Sequence, residues 1–429
     1  MTPPLRVAYL AAAHAAAFAA RLVPASAGAK LWRSLGARRN IRDRYARWGS
    51  EGRDPSRPLL WLHAPSVGEG LQARPLAALL RARRPDVQLA YTFFSPSAER
   101  FAATLDADFA DYLPFDTPTD ARVALAALQP SALVFSKLDV WPMLVEQAAA
   151  RGTALGLLSA TLATASSRRS KPAAALLRPA YAALDRVGAI SEDDASRLVA
   201  LGVRPEAVHV TGDVRYDQVW ARAHATNRDS ALLAPLRSSR PTLVAGSTWP
   251  ADEARLLPAW CVVRAGLAGA RLIIAPHEPT PAHLAPIARW ATTAGLALAR
   301  PGERGAGDAD VVLVDRVGVL GELYALADVA FVGGGFHGAG LHSVLEPAAF
   351  GAPVIFGRRH ANSRDAELLL LAGGARIAAT SETLTAALTS WLADPAARGN
   401  AGARARGLVE AGLGAAERSF TLVTKLLGR

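Results

Sequence analysis

Short apolar runs alternate with longer amphipathic stretches from residue 57 almost to the C-terminus, and this alternation admits few folds. A short continuous apolar run is typical of a strand that is buried on both faces. Strands that alternate with helices predict parallel sheets of the doubly wound α/β class. The predicted strands are Leu59–Ala64, Val87–Phe94, Ala132–Phe135, Ala154–Leu158, Val187–Ile190, Val208–Thr211, Thr242–Ala245, Leu272–Ala275, Val311–Val314, Val329–Val332 and Pro353–Phe356. The predicted helices include Leu71–Arg84, Ser97–Leu105, Pro118–Leu128, Asp193–Leu201 and Ala403–Leu427.

One polar segment without a predicted strand, residues 218–240, interrupts the alternation. The chain has 429 residues, which is enough for two domains of ordinary size. We therefore predict two Rossmann-like domains that face a cleft, with ligands at the carboxyl ends of the strands. The predicted divisions are an anchor helix at 1–30, an N-terminal domain at 31–217, a linker at 218–240, a C-terminal domain at 241–410 and a C-terminal helix at 411–429.

The N-terminus combines an apolar, alanine-rich segment with a cluster of basic residues. Val7–Val23 is about long enough to span a bilayer, although it contains His14 and Arg21. Residues 1–60 hold eleven basic and only three acidic residues, which is most of the net charge of +11. We predict a membrane-associating helix that lies on or through the bilayer, held on the cytoplasmic side by the basic cluster. A soluble core helix and a cleaved signal peptide are the alternatives.

Composition excludes some classes of protein. The basic residues follow an apolar segment and are not spread with aromatic residues over a folded face, so no nucleic-acid partner is predicted. Cys261 is the single cysteine, so no disulfide can form within one chain, which fits a reducing compartment. No serine nucleophile elbow is present, and no histidine, cysteine or acid spacing completes a metal site.

The first motif that could carry chemistry is HAPSVGEG, at residues 63–70. A predicted buried strand ends at Ala64, and a helix begins near Gly68, so Glu69 lies in the first turn of a helix at the carboxyl edge of the sheet. An acid in that position often only complements the helix dipole. Its place at the predicted cleft makes it a candidate base that could take a proton from a substrate hydroxyl.

The second motif is the glycine-rich segment Gly333–Gly340, between a predicted strand and a helix that is expected to begin near His342. Backbone N–H groups at Gly334 and Gly335 and a following helix N-terminus could bind phosphate. Glu346 could accept hydrogen bonds from a ribose diol. The glycines are not in the register of a dinucleotide fingerprint, and no acid ends the next strand. A tight turn between strand and helix is the structural alternative.

Two weaker motifs follow the first two strands of the second half. Ser247 and Thr248 could bind phosphate, but such residues also cap ordinary helices. Pro276 and His277 follow the next predicted strand, where a lone histidine is usually structural.

Taken in order, these segments resemble one family, the Kdo transferases, which move 3-deoxy-D-manno-octulosonic acid (Kdo) from CMP-Kdo to a lipid A precursor. The resemblance extends from the N-terminal helix to near residue 380. The segments that carry it are HAPSVGEG, TFFSPSAER, YLPFDTP, ISEDDASRL, VTGDVRYDQV, AGSTWPADE, IIAPHE, LYALADVAFVGGG and HSVLEPAAFGAPVIFG. It implies a GT-B fold, CMP-Kdo as donor substrate with no cofactor or metal, lipid IVA as acceptor, and the cytoplasmic face of the cell inner membrane.

The resemblance also implies roles for particular residues. Glu69 matches the proton acceptor of the family. The positions that match its nucleotide contacts are Pro276, His277, Gly318, Val319, Leu320, Ser343, Val344, Leu345 and Glu346. The common pattern has arginine at His277, glutamate at Val319 and asparagine at Ser343.

Lys137 and Asp139 stand where the common pattern has two further acids. Several of these departures are similar to the branch of the family found in Bacteroidetes-like bacteria. The expected reaction is a metal-independent displacement with inversion, in which Lys137 and Arg215 are candidate cations for the carboxylate of the donor sugar. Two alternatives remain: a different GT-B enzyme that uses a UDP-sugar and a lipid-linked acceptor, and a non-catalytic nucleotide-binding protein of the same fold.

Overall fold

The computed structural model describes residues 2–22 and 30–428, so residues 1, 23–29 and 429 of the predicted anchor and C-terminal helix lie outside the described residues. The chain forms two compact units. The first contains residues 1–215 and 413–429, and the second contains residues 216–412.

The first unit is a seven-stranded parallel sheet with helices between the strands. Its sheet order is β3-β2-β1-β4-β5-β6-β7. The elements are α1 Pro3–Leu22, α2 Lys30–Gly36, α3 Ile41–Glu51, β1 Leu59–His63, α4 Val67–Arg83, β2 Gln88–Phe93, α5 Glu99–Ala102, β3 Phe109–Tyr112, α6 Pro118–Leu128, β4 Ala132–Ser136, α7 Pro142–Ala149, β5 Ala154–Ala160, α8 Lys171–Ala182, β6 Arg186–Ala189, α9 Glu192–Leu201, β7 Val208–Val210 and α10 Val214–Ala225, whose later part belongs to the second unit.

The second unit is also a seven-stranded parallel sheet, with the order β10-β11-β9-β8-β12-β13-β14, and it differs from the first in that its fourth strand, β11, lies between β10 and β9. Neighbouring strands pair in parallel in both sheets. Its elements, followed by the last helix of the chain, are β8 Thr242–Thr248, α11 Pro250–Gly266, β9 Arg271–Pro276, α12 Pro281–Thr293, β10 Leu298–Ala299, β11 Val311–Leu313, α13 Leu320–Leu323, β12 Val329–Val332, α14 Leu345–Ala349, β13 Val354–Gly357, α15 Arg364–Ala372, β14 Ala375–Ala378, α16 Ser381–Ala393, α17 Pro395–Ala411 and α18 Ala415–Leu427. The predicted α/β class with two Rossmann-like sheets is confirmed.

Most of the predicted strands are buried, although β7, predicted as Val208–Thr211, lies at a sheet edge and has exposed residues. All residues of β1, β4 and β5 are buried, as expected for parallel strands covered by helices on both faces. Sequence patterns missed three strands, β3, β10 and β14, which each lie at an edge of a sheet. The middle residues of β3 and β14 are not fully buried, so neither strand forms a continuous apolar run.

The predicted single helix Ala403–Leu427 is wrong, because the chain breaks it between α17 and α18. α17 ends at Ala411, and Gly414, which directly precedes α18, adopts a φ of 87°, a left-handed conformation that glycine reaches without steric cost and that separates the two helices. α18 then belongs to the first unit, where Leu422, Val423 and Leu426 join its hydrophobic core. The C-terminal helix therefore completes the first sheet's covering layer.

The predicted linker 218–240 begins within α10, which continues to Ala225. The division between the two units falls inside that helix, between Arg215 and Tyr216, and again between Gly412 and Leu413. The first residues of the predicted linker are therefore polar because they lie on an exposed face of α10.

The N-terminal segment forms α1, which contacts the rest of the first unit through polar side chains on one face. Arg6 donates to Glu146 at 2.7 Å, and the Tyr9 hydroxyl donates to Asp116 at 2.6 Å. On the other face Val7, Phe18 and Leu22 are 68%, 60% and 70% exposed. Across residues 2–22 and 30–428, none of the helices has the length and apolar content needed to cross a membrane.

Candidate active site

The first unit brings two charged side chains together at the point where its strand order reverses. β1 and β4 are neighbours, while the chain proceeds outward from them in opposite directions. Ligands of such sheets bind outside the carboxyl ends of the strands at this position. Glu69 lies in the first turn of α4, after β1, and Lys137 directly follows β4. The strand-end position predicted for Glu69 is therefore the reversal point of the sheet.

Both oxygens of the Glu69 carboxylate accept hydrogen bonds. Lys137 Nζ lies 3.0 Å from Oε1, and the Ser66 hydroxyl donates to Oε2. Ser66 precedes α4 and does not cap it with its side chain, because its hydroxyl is turned to Glu69. Burial alone would raise the pKa of Glu69, but the hydrogen bonds from Ser66 and Lys137 and the charge of Lys137 together lower it below its ordinary value. Glu69 is therefore an ionised carboxylate, 17% exposed.

A buried polar chain supports the loop that carries Lys137. The ring of His63 at the end of β1 is fully buried, with Nδ1 3.0 Å from the Thr92 hydroxyl and Nε2 3.0 Å from Asp139. Trp141 Nε1 also donates to Asp139, at 3.1 Å. Burial would raise the pKa of Asp139, but its contacts with His63 and Trp141 lower it. These contacts hold the loop that follows Lys137 against the end of β1.

The second unit has its reversal point between β8 and β12. Two backbone segments meet there closely: a Cβ atom at Gly333 would lie 2.2 Å from the Ser247 carbonyl oxygen. Ser247 itself adopts a φ of 53°, which is uncommon for a residue with a side chain. The glycines of this loop therefore allow the segments that follow β8 and β12 to pack together. This agrees with the structural alternative for the motif, a tight turn between strand and helix.

One of the two predicted phosphate donors of the glycine-rich loop, the Gly334 amide, is used within the protein. Asp252, fully buried in the first turn of α11, accepts from the N–H groups of Gly334 at 2.8 Å and Phe336 at 3.0 Å, and from that of Trp249 at 2.9 Å. The Gly333 N–H donates to the Gly246 carbonyl at 2.9 Å. The Gly334 amide, predicted to bind phosphate, thus faces a buried carboxylate.

Replacing Gly333 with alanine tests this close packing. We expect Gly333→Ala to lower the free energy of unfolding by about 1–3 kcal/mol, because the added methyl group would overlap the backbone at Ser247. Gly338 in the same loop is the matched control, since the nearest atom to its added Cβ is Arg359 Nη1 at 3.9 Å. Urea unfolding of both variants measures the difference. Equal stability of the two would contradict the packing argument.

An indole and three imidazole rings form a cluster beside this loop. The Trp249 ring lies 4.3 Å from that of His337 and 4.6 Å from that of His277, and the His277 and His342 rings are 4.4 Å apart. Trp249 Nε1 lies 3.1 Å from His342 Nε2. An indole nitrogen only donates, so His342 Nε2 accepts and the proton of the neutral ring is on Nδ1. Burial, followed by the charge of His277, lowers the pKa of His342.

This ring cluster joins His277 to two residues that sequence motifs had not assigned to the site, Trp249 and His337. No group of three or more His, Cys, Asp or Glu side chains within the described ranges 2–22 and 30–428 is arranged to hold a metal ion. The cluster instead offers flat rings and ring N–H groups, which can stack on a base and donate to an anion.

A second group of predicted residues lies around Glu346. Arg222 Nη1, on α10, lies 3.1 Å from Glu346 Oε1. A Cβ at Gly321 would lie 3.0 Å from Arg222 Nη1, so α13 begins next to the same arginine. Leu320 packs against Gly246, at the end of β8. Burial raises the pKa of Glu346, and Arg222 opposes that rise.

The other predicted residues differ in their exposure. His277 and Ser343 are exposed, Val319 and Ser247 are half-buried, and Gly318 is exposed with a φ of 88°. Pro276, Thr248, Gly335, Val344 and Leu345 are buried. The Thr248 hydroxyl donates to Glu253 at 2.8 Å, so it does not face a ligand. The helix expected near His342 begins at Leu345, because the preceding loop bonds to Asn362.

Comparison with solved structures defines the fold. The UDP-GlcNAc 2-epimerase of Neisseria meningitidis superposes with a TM-score of 0.64 at 14% identity, covering 87% of this chain and all of the other. A glycosyltransferase from Rickettsia africae superposes with a TM-score of 0.59 at 9% identity, covering 86% and 99%. At these identities the likeness is one of fold, and the molecule is a two-unit α/β protein of the GT-B-like class.

Sequence comparison assigns the chain within that class. The 3-deoxy-D-manno-octulosonic acid transferase of Bordetella pertussis is 32% identical over 398 residues, which cover 90% of this chain and 91% of the relative. That of Haemophilus influenzae is 27% identical over 376 residues, covering 85% and 87%. Residues 39–218 match the family profile described as 3-deoxy-D-manno-octulosonic-acid transferase. The chain belongs to the Kdo transferase family and is a glycosyltransferase.

Proposed function

We propose that this enzyme transfers Kdo from CMP-Kdo to the lipid A precursor lipid IVA in lipopolysaccharide biosynthesis, with Glu69 as the catalytic base. The observation that carries the proposal is the ionised Glu69 carboxylate at the reversal point of the first sheet. The membership of the chain in the Kdo transferase family supports the same reaction.

The proposed mechanism follows from the ability of the Glu69 carboxylate to accept a proton. The carboxylate takes the proton of a primary hydroxyl of the acceptor while that oxygen forms a bond to the anomeric carbon of Kdo. The bond between the anomeric carbon and the phosphate oxygen breaks, and CMP leaves with the electron pair. Attack from the face opposite the leaving group inverts the anomeric configuration. The protonated Glu69 then returns its proton to solvent.

The nucleotide is assigned to the second unit by resemblance. The ring cluster of Trp249, His277, His337 and His342 offers surfaces for the cytosine and ring N–H donors for the phosphate. Glu346, held by Arg222, is a candidate acceptor for the ribose hydroxyls. The imidazoles suit the phosphate better than the Gly334 amide, which donates to Asp252. No metal or cofactor is part of the proposed reaction.

The product decides the function directly. Incubating the enzyme with CMP-Kdo and a tetraacylated lipid A precursor should give a product that is heavier than the acceptor by one or more Kdo residues. Thermal-shift measurements with CMP and UDP separate donor classes, and CMP should give the larger shift. Stabilisation by UDP alone, together with no mass increase from CMP-Kdo, would instead favour a UDP-sugar enzyme.

We further propose that α1 lies on the cytoplasmic face of the inner membrane. Val7, Phe18 and Leu22 recur on one helix face and are exposed, while Arg6 and Tyr9 fix the opposite face to the protein. An amphipathic helix of this kind buries its apolar face at the boundary between headgroups and acyl chains. The basic residues that follow would attract anionic lipid.

Removing the apolar face of α1 should weaken binding to vesicles. We expect the double variant Phe18→Ser with Leu22→Ser to lose about tenfold or more in vesicle affinity, because each buried apolar side chain contributes about 1.5–3 kcal/mol. Co-sedimentation with phosphatidylglycerol-containing vesicles measures it. Leu371→Ser, at an 80% exposed position of the second unit, is the matched control. Equal binding by both variants would refute the placement.

A further inference from the structure

Lys137 holds an unusual position beside the proposed base. Its backbone adopts a φ of 62°, a left-handed conformation that costs free energy for any residue with a Cβ atom. Its N–H donates to the Leu158 carbonyl of the neighbouring strand at 2.8 Å. Such strain persists where the surrounding contacts require it, and here it directs the side chain toward Glu69.

The loop after Lys137 is anchored independently of that side chain. Asp139, two residues later, is held by His63 and Trp141, so β1 and β4 are joined through buried polar contacts. The side chain of Lys137 is 38% exposed, whereas that of Glu69 is 17% exposed. The cation therefore comes from a fixed backbone position on the solvent side of the pair.

The groups facing Glu69 come from several elements. Lys137 approaches from the β4 loop, and the Ser66 hydroxyl from the residue before α4. Tyr91 on β2 is buried, and the charge of Glu69 contributes to raising the pKa of that tyrosine, after burial. Arg74 lies further along α4, and the pair of His63 and Asp139 lies behind the Lys137 loop. Lys137 is the cation whose ammonium reaches the carboxylate.

We propose that Lys137 is a positioning residue for the transfer reaction, which keeps Glu69 ionised and fixes the orientation of its carboxylate. This inference rests on the proposed function of Glu69 as base. Each carboxylate oxygen has two lone pairs, so Oε1 and Oε2 can each still accept one proton while held by Lys137 and Ser66. When the acceptor proton moves to Glu69, the ion pair becomes a hydrogen bond between ammonium and neutral acid.

Exchanging Lys137 for methionine removes the charge and keeps a long side chain at the same strained backbone position. We expect the acidic limb of the kcat/KM profile, which in the wild type lies below about pH 5, to move to higher pH and enter a profile measured from about pH 5 to about pH 9. The sign follows from the ion pair: without the cation the carboxyl group holds its proton to higher pH. At the acidic end of the profile kcat/KM should fall by about tenfold or more, because part of the base is then protonated.

Two further variants separate positioning from folding. Lys137→Arg keeps the cation and should restore the position of the limb. Lys171→Met removes an exposed lysine of the same unit and should match the wild type. An unmoved limb in Lys137→Met would overturn the proposal, as would a change confined to the KM for CMP-Kdo, which would make Lys137 a substrate contact.

A substrate-free measurement distinguishes this inference from the proposed function. In carbon-13 spectra of the glutamate carboxyl groups, assigned with Glu69→Gln, the Glu69 titration should move to higher pH in Lys137→Met. An unmoved titration would overturn the role of Lys137 even in an active enzyme. A wild-type enzyme that transfers nothing from CMP-Kdo, but shows the moved titration, would overturn the proposed function and leave the ion pair established.

Discussion

Glu69→Gln should lower kcat for Kdo transfer by about 10²- to 10⁴-fold, the range that a positioned general base contributes. Glutamine keeps the size of the side chain, and its single oxygen can still accept from either Lys137 or Ser66. It cannot take a proton from the acceptor hydroxyl. Because the change leaves the second unit untouched, binding of CMP should be retained. Initial rates with saturating CMP-Kdo and acceptor, and calorimetric titration with CMP, measure the two effects.

The control for Glu69→Gln is an acid in the same kind of local structure. Glu192 lies in the first turn of α9 and is exposed. If Glu69 only complemented a helix dipole, Glu69→Gln and Glu192→Gln would have similar small effects on stability and none on rate. Similar rates in the two variants would therefore refute the assignment of the base.

Asp252→Ala should destabilise the protein by roughly 3–5 kcal/mol. The substitution leaves the N–H groups of Trp249, Gly334 and Phe336 without their buried acceptor, and each orphaned donor costs about 1–3 kcal/mol. The glycine-rich loop and the first turn of α11 would lose the group that joins them. Urea unfolding measures the loss, and CMP affinity should fall with it because Trp249 and the loop move together.

The control for Asp252→Ala is Glu382→Ala, because Glu382 also lies in the first turn of a helix of the second unit but is exposed. Its substitution should change stability by no more than about 0.5 kcal/mol. Asp252→Asn keeps one oxygen acceptor and should lie between the two. If Asp252→Ala were as stable as Glu382→Ala, the three backbone contacts would not hold the loop.

The buried framework was predictable because parallel strands leave a strong pattern. Leu59–Leu62 and Ala132–Phe135 are continuous apolar runs, and such a run can be recognised without knowing which strands lie beside it. Ala375–Ala378 has half-exposed and exposed residues between its ends, as an edge strand can. The same residue sequence is equally compatible with a loop. β3, β10 and β14 are recognised only by their strand partners, whereas β7, at the remaining sheet edge, was predicted from its own residues.

The site was predictable in position more than in chemistry. Glu69 and the glycine-rich loop were placed at strand ends, where the structure has them. Asp252 was not assigned a role, because an acid in the first turn of a helix has the same local sequence whether it caps the helix or binds a distant loop. Arg222 was assigned to a linker, and only the path of α10 brings it to Glu346.

The return of α18 to the first unit means that one helix of that unit is synthesised only after the whole second unit. α4 and β5 stay without their covering helix until the ribosome has made the whole second unit, since α18 supplies Leu422 and Leu426 to their core. Domains made early usually fold early. Here the second unit, continuous from Tyr216 to Gly412, can finish folding while the first still lacks α18.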